Sequence, residues 1–333
     1  MINSILDPQI TEFDIDTIKE VEMSLRPERL EDLIGRAKEK KNLRIMIQAA
    51  KQRDEALDHI LLHGPPGLGK TTIASIIATE IGVEMFATSG PALERKGDLV
   101  SIISNIPPRG IFFIDEIHRL NRSIEEMLYS AMEDRKVDIV IGKGPSARTL
   151  KLDLNPFTVI GATTRVGMLS SPFRDRFGVD MYLDYYSHSE LQELIIQKSK
   201  ILNISIDNDA ALEIARRSRR TPRIAIRILK RVRDLAETQQ LKNIDKKIAR
   251  QGMNMIEIDE YGLDILDRKI LRTLYRTFNG GPVGLNTLAA ALSEDLGTIS
   301  EVYEPFLIKE GFIIRTPKGR IITDKTINYL NQQ

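Results

Sequence analysis

The chain has 333 residues, 42% of them hydrophobic and 29% charged, with a formal net charge of +1. That length allows two or three domains with cores of their own, and the near balance of charge excludes a general polycation, so any nucleic-acid surface has to be local. The absence of cysteine excludes disulfides, thiol catalysis and thiolate metal sites, and it fits a reducing compartment.

The amino-terminal M-I-N-S-I-L-D-P-Q lacks the basic and apolar regions of a signal peptide, and no apolar run approaches the ~18 residues of a membrane span. A cytoplasmic location without membrane association is therefore expected. His59, His63, His118 and His188 are scattered, with no metal-ligand spacing. The run D-H-I-L-L-H (58–63) predicts a strand, and T-I-A-S-I-I-A-T-E-I after it a helix ending near Gly82. Between them stands G-P-P-G-L-G-K-T, residues 64–71. A glycine-rich loop in that position is a phosphate cradle: Gly67 and Gly69 let backbone N–H groups converge, Lys70 brings a point charge, and the Thr71 hydroxyl binds Mg²⁺. ATP and Mg²⁺ are the expected cofactors.

A second buried-strand run, I-F-F-I (111–114), surfaces at Asp115 and Glu116. Acidic pairs also cap helices, but beside a phosphate loop Asp115 is expected on the magnesium side and Glu116 as the base that polarises the attacking water. K-V-D-I-V-I (136–141), a turn G-K-G-P-S-A, and R-T-L-K-L-D-L (148–154) predict a hairpin arm. Either it is an ordinary sheet edge, or it projects to a partner that covers its apolar side. F-T-V-I-G-A-T-T (157–164) predicts a third strand, and the alternation with helices predicts a parallel α/β sheet.

From 188 to 255 the pattern is helical and highly charged, with I-S-I (204–206) its one strand-like run; Arg216, Arg217, Arg219 and Arg220 read there as a solvated helix face. After Tyr261-Gly262 come predicted helices over 264–278, 284–292 and 298–310, then the ribbon F-I-I-R-T-P-K-G-R-I-I-T (312–323). That is the winged-helix order. Arg315 and Arg320 flank the turn with Lys318 at its tip, placed to grip duplex phosphates, while helix 298–310 carries no base-reading array. A protein-binding winged helix is the rival reading. The expected domains are 1–186 (large P-loop), 187–258 (small helical lid) and 259–333 (winged-helix head).

The P-loop, D-E-I-H (115–118), G-A-T-T-R (161–165) and S-P-F-R-D-R-F (171–177) resemble AAA+ ATPases. More narrowly, G-P-P-G-L-G-K-T-T, T-S-G-P (88–91), D-E-I-H-R-L, L-Y-x-A-M-E-D (128–134), G-x-G-P-x-A-R (142–148), R-T-P-R-I-A (220–225), G-G-P-V-G-L (280–285) and R-T-P-x-G-R (315–320) resemble the RuvB family, with segments running from about 24 to 323. The resemblance implies an ATP-dependent DNA helicase that drives branch migration of Holliday junctions in homologous recombination and DNA repair. It implies a homohexameric ring on double-stranded DNA, a RuvA-like junction-binding partner meeting the 136–154 hairpin, and a RuvC-like resolvase in the same complex. It assigns nucleotide contacts to Thr72 beside the loop residues, the adenine end to Leu25, Arg26 and Tyr186, sensor 1 to Thr164 (or Thr163), the arginine finger to Arg176 (or Arg174) and sensor 2 to Arg223. His118 is expected as a hydrogen-bonding spacer. Two departures stand out: Arg36 where many relatives have Gln, and Leu296 where relatives often carry a third DNA-facing arginine. A clamp-loader subunit, a replication initiator and a small-molecule kinase are the rival functions.

Overall fold

The computed structural model describes residues 25–141 and 148–332. The expectations for the amino-terminal stretch and for the hairpin turn fall outside these residues.

The amino-terminal domain is built on five parallel strands, β1 (Ile60–His63), β2 (Met85–Ser89), β3 (Ile111–Asp115), β6 (Thr158–Thr163) and β7 (Val179–Tyr182). Their order in the sheet is β2-β3-β6-β1-β7. Continuous apolar runs suit strands covered on both faces, and β1, β3 and β6 are almost entirely buried. One face packs on α1 (Ala37–Arg53) and α2 (Lys70–Ile81) through Leu43, Ile47, Ile73 and Ile77. The other packs on α3 (Lys96–Ile103) and α4 (Arg122–Asp134) through Leu99, Ile103, Ile124 and Leu128. Asn121 begins α4 by accepting the Ile124 N–H at 3.0 Å, which satisfies one of the helix's unpaired donors.

The edge strands β2 and β7 carry no signal in the sequence reading. M-F-A-T-S is only half-buried, and V-D-M-Y alternates over just four residues at the sheet's border. The predicted hairpin forms as β4 (Lys136–Ile141) and β5 (Arg148–Asp153), an antiparallel pair running from Lys136 opposite Asp153 to Ile141 opposite Arg148. It is a sheet of its own, outside the central five strands. Val137 is buried against the core, and Leu150 is exposed.

A short α5 (Ser171–Arg174) precedes β7, and the lid follows as α6 (His188–Ile201), α7 (Asn208–Arg216), α8 (Pro222–Thr238) and α9 (Lys246–Met255). Ser187 and Glu190 close a capping box at the start of α6, and Pro222 occupies the first turn of α8, where no N–H is needed. Two-residue strands β8 (Ser205–Ile206) and β9 (Asn243–Ile244) pair in parallel. The lid's Ile214, Ile228, Leu229 and Val232 belong to the same apolar cluster as α1 and α2, so lid and core share one interior.

The head has a separate core around Leu271, Leu274, Leu288, Leu307 and Phe312. Its elements are α10 (Ile265–Arg276), α11 (Leu285–Leu292), a wide π-helical stretch Thr298–Tyr303 running into α12 (Glu304–Lys309), ribbon strands β10 (Ile313–Thr316) and β11 (Gly319–Ile322), and α13 (Asp324–Asn331). The last helix closes the domain beyond the ribbon where the sequence reading stopped. At the ribbon's turn Gly319 has φ +136°, and a Cβ there would lie 2.4 Å from the Val283 carbonyl oxygen. No other residue fits that approach.

The arginine run of the lid is not a solvated face. Arg217 and Arg219 are buried: Arg217 pairs with Glu213 at 2.5 Å, while Arg219 pairs with Asp264 and Asp267 of the head. Arg220 donates to the Tyr186 carbonyl at 3.0 Å, and only Arg216 is exposed without a described ion pair. The partners lie up to 48 residues away, beyond what a helical-face pattern detects.

Candidate nucleotide site and nucleic-acid interface

Because all five strands are parallel, their carboxyl ends share one edge. The loop 64–69 leaves β1 there, bound to β6 through the Gly64 N–H and the Thr163 carbonyl at 3.2 Å. Asp115 ends β3 and Thr163 ends β6, on the strands that flank each other beside β1. Crevices outside the carboxyl ends of such sheets are where ligands bind. Lys70, Thr71, Thr72, Asp115, Glu116 and Thr164 are thus brought to one corner by topology.

The loop's last glycine, Gly69, sits at φ +89° before the first turn of α2, which points its N–H groups toward the crevice. Gly67, at φ +77°, touches the lid: a Cβ there would lie 3.3 Å from the Cβ of Arg223, and the Arg223 N–H approaches the Gly67 carbonyl at 3.5 Å. Arg223 is therefore held beside the phosphate loop by the amino end of α8. The ammonium of Lys70 donates to the Gly64 and Pro65 carbonyls at 2.8 and 2.9 Å. Burial pushes its pKa down to about 8, against the pull of Asp115 and with the help of Arg36. Such a buried cation, bonded among the described residues to carbonyls alone, is a strong anion site.

Asp115 accepts the Glu116 N–H at 2.9 Å, and Glu116, in left-handed backbone at φ +48°, pairs with Arg119 at 3.0 Å. The two threonines of β6 differ. Thr163 is buried, with its Oγ1 2.9 Å from His118 Nδ1 and accepting the Arg165 N–H at 2.9 Å. Thr164 is half-buried at the strand's exit. His118 makes the hydrogen bond of a spacer, and burial lowers its pKa, with Glu116 opposing.

Of the residues expected at the adenine end, Leu25 and Tyr186 are buried in the cluster that also holds Leu68 of the loop, while Arg26 is exposed. Arg36, the first departure, lies 4.6 Å over the Tyr186 ring and donates to the Asp184 carbonyl at 2.6 Å. It packs as a lid on the tyrosine and adds positive charge near Lys70.

Arg176 is not brought to this corner. It pairs with Glu133, donates to the Tyr129 hydroxyl at 2.8 Å and lies 4.8 Å over the Tyr129 ring, all on α4. Arg174 is exposed and makes no ion pair among the described residues.

In the head, Arg315 and Lys318 are exposed on the ribbon, but Arg320 is not. Its guanidinium forms a two-pronged ion pair with Glu304 at 2.9 and 3.0 Å, both side chains buried. A duplex contact by Arg320 would compete with this pair, since extracting the guanidinium would strand a buried carboxylate. Glu304 lies sixteen residues upstream on α12, outside the ribbon's own pattern. Leu296, the second departure, is exposed in the turn before the π-helical stretch.

Three family models match along the chain: a Holliday junction DNA helicase RuvB P-loop domain over residues 25–183, a RuvB AAA lid domain over 186–259, and a RuvB carboxyl-terminal winged helix domain over 260–331. Among solved structures, the RuvB Holliday junction branch migration motor of Thermotoga maritima is 48% identical, covers 92% of this chain and 98% of its own, and superposes with a TM-score of 0.86. A threonine-to-valine and an arginine-to-alanine variant of that Thermotoga maritima protein match at 47% and 48% identity with TM-scores of 0.85, over the same shares of both chains.

Proposed function

The chain belongs to the RuvB family of Holliday-junction branch-migration motors, and from that premise we propose how its residues divide the work. ATP binds at the crevice with its phosphates on the loop 64–69 and Lys70, and its base toward Leu25, Arg26 and Tyr186. Thr71 and Asp115 supply hard oxygen donors at one corner, which suits Mg²⁺ shared with phosphate and water; the ion would neutralise charge on the transferred phosphoryl group. Glu116 orients the attacking water, Thr164 contacts the γ-phosphate, and Arg223 links lid position to phosphate.

Arg176 acts on the nucleotide of a neighbouring subunit. What supports this is its tether on α4, away from its own loop. The active form is then a ring, in the family a homohexamer. The 136–154 hairpin, outside the main sheet with Leu150 exposed, suits a RuvA-like partner, and a RuvC-like resolvase would act on the same junction. Arg315 and Lys318 hold duplex phosphates without reading bases. No described helix is long and apolar enough to cross a membrane, and a cytoplasmic site of action fits that. The division at 186/187 and 258/259 sets the lid between the two working ends.

The observation that carries the reading is the convergence of Lys70, Asp115, Thr164 and Arg223 on one sheet edge, while exposed cations stand on a separate winged-helix ribbon. The test is ATPase activity with duplexes of unrelated sequence, alongside ATP-dependent dissociation of a synthetic four-way junction. Equal stimulation by every duplex and dissociation of the junction are expected. Stimulation by one sequence alone would point to an initiator, and stimulation without dissociation to a clamp loader.

A further inference from the structure

The helical stretch 298–309 touches all three domains through consecutive turns. Glu304 holds the wing through Arg320. Tyr303 and Phe306 flank the lid's Arg219, each ring centroid 5.1 Å from the guanidinium, which also pairs with Asp264 and Asp267. Glu301 pairs with Arg165 of the ATPase core. The stretch is anchored at its start by Asp295, which accepts the Gly297 and Thr298 N–H groups at 2.7 and 3.1 Å. One short element therefore carries the wing, the lid and the core on its side chains.

These contacts are unequal. The Arg219 joint is buried, with 8% of its side chain exposed against 0% for Asp267, and the Arg320–Glu304 pair is buried as well. Breaking either leaves a charge without water or partner. The Arg165–Glu301 pair is half-exposed, at 40% and 34%, so water replaces the lost partner at little cost. Arg165–Glu301 is therefore the contact that costs least to open, and the lid–head joint the one that costs most.

Arg165 stands at a sensitive place. Its N–H donates to Thr163 Oγ1, that oxygen meets His118 Nδ1, and His118 lies two residues from Glu116. It directly follows Thr164 at the exit of β6. A guanidinium held or released by the head thus acts on the segment that presents Thr164 and the Asp115–Glu116 box.

We propose that Arg165 and Glu301 are a positioning pair that reports the place of the winged-helix head to the catalytic strand ends of the same subunit. They couple duplex held at the ribbon to ATP hydrolysis in the core. The inference rests on the motor reading above and adds the contact through which its two ends communicate.

The test uses the full chain. ATPase rates are measured with and without duplex DNA for the wild type, Glu301→Gln, Arg165→Gln and the exchanged pair Arg165→Glu with Glu301→Arg, and thermal unfolding is recorded for each. Glu301→Gln should keep its DNA-free rate and its unfolding midpoint, while stimulation by duplex falls by about fivefold or more, the lower range of site-to-site coupling. The exchanged pair should recover stimulation, which a structural role for either residue alone would not produce. Full stimulation in Glu301→Gln, or no recovery in the exchanged pair, overturns the proposal and leaves the motor reading intact. A wild type that duplex does not stimulate overturns the motor reading, and the proposal with it.

Discussion

The nucleotide corner and the ribbon both depend on cations, and they hold them in opposite ways. At the corner Lys70 is buried, bonded to loop carbonyls and shifted to about 8. On the ribbon Arg315 and Lys318 stand in water. A transferring phosphoryl group needs charge fixed in place before the reaction, in a site of low dielectric. A duplex backbone sliding past needs charge that can let go, and exposed side chains pay little desolvation when they do. On the proposed reading, burial separates the residue that works on one phosphate from those that hold many.

That contrast can be broken from either side, and the largest effect is expected at the corner. Lys70→Ala should abolish ATP-dependent junction movement; movement at the wild-type rate would make the loop dispensable. Arg176→Ala should slow hydrolysis by about 10³–10⁵-fold, the usual worth of an arginine finger. Mixing it with Lys70→Ala subunits should restore part of the ATPase, because an intact loop then faces an intact Arg176 across some seams. No recovery at any ratio would confine Arg176 to a structural role with Tyr129 and Glu133.

The ribbon offers an internal control. Arg320→Ala leaves Glu304 buried and unpaired, so denaturant unfolding of the full chain should show the head weakened by about 3–5 kcal/mol. Arg315→Ala should leave stability alone. An unchanged head in Arg320→Ala would show that its pair with Glu304 is loose enough to serve DNA after all.

Smaller effects sharpen the comparison. With its pKa pushed down to about 8 by burial, the Lys70 ammonium of the free protein is half deprotonated at that pH, whereas bound triphosphate favours the charged form. Nucleotide binding then takes up a proton above that pH. Affinity from this group should be flat below pH 8 and fall about tenfold per unit above it; calorimetric titration at several pH values checks the slope. At the ribbon, Arg315→Ala should weaken binding alike for unrelated duplexes and reduce the salt slope by about one. A loss confined to one sequence would mean base reading.

How much of this was legible beforehand follows from how local each feature is. The loop 64–71 and the Asp115–Glu116 pair announce themselves because contiguous residues carry the pattern. The three head helices and the ribbon follow from periodicity and turn residues. What escaped was set by distant partners. Arg219 looks like a solvated charge until Asp267 closes on it, and the burial of Arg320 is set by Glu304 on another helix. The edge strands β2 and β7 escaped because a half-covered border needs little apolar patterning. Even Thr163 and Thr164, neighbours in sequence, differ through long-range features: Thr163 is buried and bonded to His118, while Thr164 is half-buried.

The central claim is that hydrolysis at the corner becomes movement of DNA held at the ribbon. The most direct measurement follows phosphate release and dissociation of a four-way junction in the same reaction, with ATP and then with a non-hydrolysable analogue. The two signals should rise together with ATP and junction movement should stop with the analogue. Junctions that come apart equally fast with the analogue would contradict the account.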